Sequence, residues 1–388
     1  MKLITSIIAM LSFLFSPPSM QAQPLQRAER KVERLFGRAL RKPQVHHAFF
    51  SVYAPGRDLH WSYSGGQFAD GSPVAAANPF HSASVGKTFT ATLIMQLVEE
   101  RQLGLQDTLG QLLPAEVIAG LHVWGGEDCT AQITVAQLLQ HRSGLPDCFE
   151  DRPRSGMSLL EQMLAEPDYY WTPEAILDYS RTQLKARFAP GQGFHYSDAG
   201  YLLLGLIIEQ KRDQSLSEAL HEQIFQPLQL TQTSMHLRSR PITAYEGPMA
   251  ELYVGEQEIS GYQSLSADWA GGGLLTTTDD LLHFMEALRN GAIITEQSFE
   301  AMQQWVPESR GMEYGYGLRR FRLRGLFPLL PNLTLIGHSG STNSFLYYCP
   351  ELEVYLAGTF NQTSDIRQHV IFMVKVLSVL KKHGVSRP

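Results

Sequence analysis

The sequence predicts an α/β (α+β) fold: a mainly antiparallel sheet flanked by helices, built from both chain ends, with a central, mostly helical domain. Three observations carry this. Strand-like runs sit near both ends of the 388 residues, the long middle reads as short helices and loops, and Gly and Pro are spread along the chain. Strands at both termini around a helical middle imply one sheet layer closed by the two ends and carrying a helical insertion. With 44% hydrophobic and 18% charged residues there is ample apolar material for a core, which excludes a disordered or collagen-like chain. The net charge of −6, without basic runs, argues against a nucleic-acid partner.

Taken in order, residues 25–41 carry Leu25, Val32, Leu35, Phe36 and Leu40 at helical spacing and predict an amphipathic helix. Residues 46–53 and 59–63 predict two strands joined by the turn Pro55-Gly56-Arg57. After a loop rich in Gly, Pro and Ala, a helix is expected over 84–102, ended by Gly104. Further helices are expected at 134–140, 173–185, 199–210 and 276–290. The last is capped by Thr278 or Asp279, with Leu281, Leu282, Met285 and Leu288 as its apolar face. Strands return at 334–338, 344–349 and 354–360, and a helix over 365–382 closes the chain. The expected division is a discontinuous sheet domain, 23–104 with 291–388, and a helical domain, 105–290.

Residues 1–22 read as a secretory signal: Lys2, then an apolar stretch over 3–15, then Pro17, Pro18 and a small Ala22 before the cut. The apolar run is short of the ~20 residues of a spanning helix, and no Cys follows it as a site for a lipid anchor. An exported protein, periplasmic or secreted and without a stable membrane anchor after cleavage, is therefore expected. Of the three cysteines, Cys129 and Cys148 are a candidate disulfide that would close a loop of about 20 residues, worth on the order of 3 kcal/mol. Cys349 reads as a buried thiol. The cysteines lack zinc-ligand spacing, and no metal or organic cofactor is expected.

Ser84-Val85-Gly86-Lys87 holds the chemistry. With Ser84 opening a helix, Lys87 lies one turn on, on the same face, where its amine reaches the hydroxyl. Spacing alone is weak evidence, because Ser378-Val379-Leu380-Lys381 repeats it in the closing helix. Context decides. FHSASVGKTFT at 80–90 is followed by LLQHRSGLP at 138–146, Pro190-Gly191, FHYSD at 194–198, AGGGL at 270–274, Tyr314-Gly315-Tyr316-Gly317 and Gly337-His338-Ser339-Gly340. This ordered set resembles the serine β-lactamase and penicillin-recognising hydrolase superfamily, most of all its branch of class C β-lactamases, D-alanyl-D-alanine carboxypeptidases and esterases. The likeness covers about residues 45–380, and it implies the β-lactamase/transpeptidase-like fold.

The resemblance implies that Ser84 is the acylated nucleophile and Lys87 its partner. Tyr196 matches the Tyr of a Tyr-x-Asn element, His338-Ser339-Gly340 matches the strand beside the site, and the oxyanion would lie between the N–H groups of Ser84 and Ser341. Lys87 and Tyr196 are expected to share acid–base work, each lowering the other's pKa with the help of burial. Asp198 stands where that family has Asn, and His338 where it commonly has Lys. Beside Lys87, Asp198 would favour the ammonium form. It would otherwise face the substrate and pair with a free amine, or simply cap the helix over 199–210. A neutral His338 would hold a substrate carboxylate less firmly. Both changes favour an esterase, amidase or D-amino-acid peptidase over an efficient β-lactamase, acting on a small-molecule or peptide ester or amide, cell-wall peptide included. A silent binding protein for peptidoglycan fragments or a protein partner is the alternative. Gly337-His338-Ser339-Gly340-Ser341 lacks the last glycine and the following helix of an α/β-hydrolase elbow, and metal-ligand clusters are missing.

Overall fold

The computed structural model describes residues 22–245 and 247–385. The signal segment expected at 1–22 thus lies, Ala22 apart, outside the described residues. Strands β1 (His47–Ala54) and β2 (Leu59–Gly66) form a hairpin. They join β3 (Val306–Ser309), β4 (Met312–Tyr314), β5 (Arg319–Arg322), β6 (Thr334–Ser339), β7 (Phe345–Cys349) and β8 (Val354–Thr359) in one eight-stranded sheet. The order is β3-β4-β5-β6-β7-β8-β1-β2, with every pairing antiparallel. The two chain ends meet where β1 pairs with β8, Phe49 opposite Thr359 and Val52 opposite Leu356.

Both faces of the sheet are covered, which is why its central strands read as unbroken apolar runs. Helices α1 (Ala22–Leu40) and α5 (Gln368–Lys382) cover one face, where Phe50, Phe345, Phe36 and Phe372 pack together. On the other face α4 (Thr278–Arg289) lies against β1, β7 and β8, and Phe49, Leu346 and Tyr355 join the larger core. The cap of α4 is Thr277, whose hydroxyl accepts from Asp280 N at 3.3 Å, rather than Thr278 or Asp279. The expected helix over 84–102 begins as a tight turn, Ala83–Val85, and continues as α2 (Gly86–Glu99), buried on nearly every side. Its neighbour α3 (Asp198–Arg212) anchors the helical middle.

Three strands of this sheet were not foreseen. β3, β4 and β5 are short, carry Pro307 and several charges, and show no apolar run. Cross-strand charge pairing stabilises them instead: Glu313 lies opposite Arg320, and Arg319 reaches Glu308. The candidate disulfide is absent. Cys129, Cys148 and Cys349 are free thiols. Cys148 is buried within the core, while Cys129 lies at the edge of a small hairpin with its sulfur toward Glu127 O.

Candidate active site

A short antiparallel sheet of Phe80–His81, Leu274–Thr276 and Ser234–Met235 brings two distant segments together. Phe80 pairs with Thr276, and Ser82 N donates to Leu274 O at 2.9 Å. The chain then turns sharply at Ala83, whose φ of 43° is a strained value for a residue with a Cβ. That turn lifts Ser84 into a cleft of about 820 Å³ between the sheet and the helical middle. The run Gly271-Gly272-Gly273 must be side-chain-free here. A Cβ on Gly272 would lie 2.3 Å from Ala83 O and 2.9 Å from Asp268 Oδ1.

Lys87 is wholly buried and donates all three of its N–H bonds: to Ser84 Oγ at 3.1 Å, to Gly271 O at 2.8 Å and to Asp198 in a very short ion pair. Three donated bonds are the full complement of an ammonium. Burial alone would lower its pKa, but Asp198, with Tyr196 and Asp268, reverses this and raises it above the usual lysine value. The phenol of Tyr196 is raised as well, chiefly by burial, and its ring lies 4.9 Å below the Lys87 nitrogen. The expectation of two lowered pKa values is therefore corrected: Lys87 rests as ammonium and Tyr196 as neutral phenol.

Asp198 does not cap α3. Ser197 does, its hydroxyl accepting from Gly200 N, while Asp198 opens the helix and turns to Lys87. Ser339, Gly340 and Ser341 line the cleft with Ser84. The N–H groups of Ser84 and Ser341 donate to no described protein group. His338 does not line the cleft. It is buried on β6 opposite Leu346, where its Nε2 meets Tyr314 Oη at 2.7 Å, and burial with Arg319 and Lys87 nearby keeps it neutral. His141 is structural: its Nδ1 accepts from Ser197 N at 3.0 Å.

Sequence reasoning missed two features of the cleft. Arg319 forms a bidentate pair with Glu308, at 2.7 and 2.8 Å, and stacks 5.7 Å from the Tyr196 ring centre. Asp268 faces the cleft beside Ser84, and burial pushes its carboxyl up to about 7 against the pull of Lys87. Its signal was its place two residues before the glycine-rich stretch. Apolar residues make up much of the remaining wall, among them Phe149, Met163, Leu252, Ile259, Met312 and Phe321.

The Beta-lactamase family profile matches residues 30–371. The chain belongs to the β-lactamase family. It is 30% identical over 296 residues to penicillin-binding protein 4 of Amycolatopsis lactamdurans, covering 70% of each chain. It is 28% identical over 282 residues to penicillin-binding protein 4* of Bacillus subtilis (strain 168), covering 68% of this chain and 57% of that one. The D-amino acid amidase of Ochrobactrum anthropi SV3, solved with L-phenylalanine amide, superposes with a TM-score of 0.75 at 23% identity. That match covers 92% of this chain and 99% of the amidase, and it shows a shared fold. Within this family fold Ser84 and Tyr196 line one cleft, and the buried Lys87 amine lies beside both.

Proposed function

We propose that the protein is a serine hydrolase that cleaves small amides or esters through an acyl-enzyme on Ser84, with amidase, esterase or D-amino-acid peptidase activity exceeding β-lactamase activity. One observation carries this: Ser84 Oγ, hydrogen-bonded by Lys87, stands at the wall of a large, mostly apolar cleft. Two unpaired backbone N–H groups there are free to receive an oxyanion. The named activity of the Ochrobactrum neighbour supports the amidase reading.

Because Lys87 rests as an ammonium, it acts as a relay. As Ser84 Oγ bonds to the substrate carbonyl carbon, its proton passes to Lys87 while Lys87 gives one of its own to Asp198. The ammonium is conserved, and the negative charge moves from Asp198 to the oxyanion, where the N–H groups of Ser84 and Ser341 accept it. Each such donor is worth about 2.7–4 kcal/mol in the transition state. The C–N or C–O bond then breaks as the Tyr196 phenol protonates the leaving group, and Asp198 returns its proton through Lys87 to Tyr196. Water repeats the sequence on the acyl-enzyme.

A β-lactam carboxylate finds weak support in this cleft. His338 is buried and neutral, Arg319 is already bound to Glu308, and Arg367, which also lines the cleft, is exposed to water. The test is hydrolysis of D-phenylalanine amide, p-nitrophenyl esters and a chromogenic cephalosporin by the wild type and Ser84→Ala. Ser84-dependent turnover of an amide or ester is expected, with kcat/KM for the cephalosporin lower by at least about 30-fold, the scale of one missing charge-assisted contact. Efficient cephalosporin hydrolysis would contradict the reading. The silent binding protein remains the second reading, favoured by the Lys87–Asp198 pair that holds the amine protonated; absence of turnover on all three substrates would select it. Export, with a mature chain beginning near Gln23, is part of the proposal and is tested by the N-terminal sequence of protein recovered outside the cytoplasm.

A further inference from the structure

The carboxylate of Asp268 lies in the cleft wall beside Ser84, half-buried, and makes no hydrogen bond or ion pair with another described residue. Its neighbours explain why this matters. Through Gly272 it lies close to the carbonyl of Ala83, the residue before the nucleophile. An acyl group bonded to Ser84 Oγ extends into the same cleft that Asp268 lines. A carboxylate in a largely apolar cleft is costly unless a partner arrives.

The charges around Ser84 point the same way. Lys87 and Asp198 neutralise each other. Asp147, behind them, is pushed up by burial and by Asp198 toward the neutral acid, and its Oδ2 is buried without a partner. Of the other charged residues lining the cleft, Glu150 and Arg367 are exposed, whereas Asp268 is half-buried and unpaired. Asp198 is occupied by Lys87, so it is not the carboxylate that meets a substrate amine. Arg319 is occupied by Glu308, and Arg367, the other arginine lining the cleft, is exposed to water.

Resting on the hydrolase reading above, we propose that Asp268 is the specificity-determining carboxylate for a primary ammonium α to the scissile carbonyl. The substrates are then amides or esters of α-amino acids with a free amine and a large apolar side chain, and N-acylated or desamino compounds are poor substrates. The apolar wall formed by Phe149, Met163, Leu252 and Ile259 receives the side chain. The ammonium would hold Asp268 ionised, offsetting the burial that pushes its carboxyl up.

The test compares kcat/KM for D- and L-phenylalanine p-nitroanilide with that for 3-phenylpropionyl p-nitroanilide, which lacks the amine. Wild type should favour the better amino substrate by at least about 30-fold, as for a desolvated charge pair. Asp268→Asn should collapse that ratio, mainly through KM, and Asp268→Glu should restore part of it. A wild type without preference for the amine, or an Asp268→Asn variant that loses both substrates equally, overturns the inference. Labelling of Ser84 by a fluorophosphonate separates the two readings. No wild-type adduct removes the hydrolase reading and this one with it, whereas a normal adduct with an unchanged ratio removes only this one. Should Asp268→Asn fail to fold, wild type suffices: 2-phenylethylammonium must protect Ser84 from labelling better than 3-phenylpropanol, and equal protection overturns the proposal.

Discussion

Replacing Lys87 with Met probes the buried charges most sharply. Lys87 is fully buried, and the side chain of its partner Asp198 is only 10% exposed. Methionine keeps much of the volume but leaves the carboxylate without its cation, with Asp268 and Asp147 close by. Breaking one side of a buried pair costs about 3–5 kcal/mol, and two unit charges 4 Å apart at an effective dielectric of 20 give about 4 kcal/mol. The two routes agree, so a loss of that size is expected near pH 8. The loss must also depend on pH. Burial already raises the carboxyls of Asp268 and Asp147 above their unfolded values, and Lys87 pulls both down. Without Lys87 both rise further. A raised carboxyl destabilises the fold fully above its folded pKa, and the penalty fades as pH falls toward the unfolded value of about 3.9. Urea unfolding of wild type, Lys87→Met and Lys87→Met/Asp198→Asn at pH 5, 6.5 and 8 measures this. The single variant should lose most at pH 8 and least at pH 5, and the double variant should regain most of the loss at pH 8. A loss independent of pH, or a double variant no more stable than the single, would refute the reasoning.

Other outcomes follow from the same geometry. Tyr196→Phe should lower kcat about 10²–10⁴-fold, the usual worth of a positioned proton donor, with stability little changed in the same urea assay. Gly272→Ala places a methyl 2.3 Å from Ala83 O and must displace the turn that presents Ser84. Most activity should go, at a cost of about 1–3 kcal/mol in stability; retained activity would contradict the close packing. Iodoacetamide on native protein should label Cys129, with Cys148 and Cys349 reacting only after unfolding, and a non-reducing peptide map should show no bridge between Cys129 and Cys148.

Patterns that depend on near neighbours in sequence were readable. The hairpin of β1 and β2, the strands β6 to β8 and the helices α3 to α5 all follow from apolar periodicity, because each buries a face built by its own residues. The meeting of Lys87 with Ser84 is a one-turn relation and was equally legible. The approach of Asp198 to Lys87 was anticipated through the family resemblance, not through periodicity. What escaped depends on partners far away in the chain. β3 to β5 are stabilised by Glu308–Arg319 and Glu313–Arg320, pairs that exist only once the strands are side by side. The hydroxyl of Ser197 took the cap that Asp198 was given, because Asp198 gains more from Lys87. His338 shares the sheet face of Leu346 but is taken up by the Tyr314 hydroxyl, a partner 24 residues away that no local pattern announces. Asp268 has only its place before the glycine-rich stretch as a local signal, and its role in the cleft becomes visible when that segment docks on the Ala83 turn.

The central claim is that Ser84 is a live nucleophile. Intact-mass analysis after treatment with a fluorophosphonate tests it most directly, followed by mapping of the modified peptide. The account predicts a single phosphonyl adduct on the peptide containing Ser84 in wild type and none in Ser84→Ala. An unmodified wild-type protein, or an adduct on Ser339 or Ser378 instead, would contradict it.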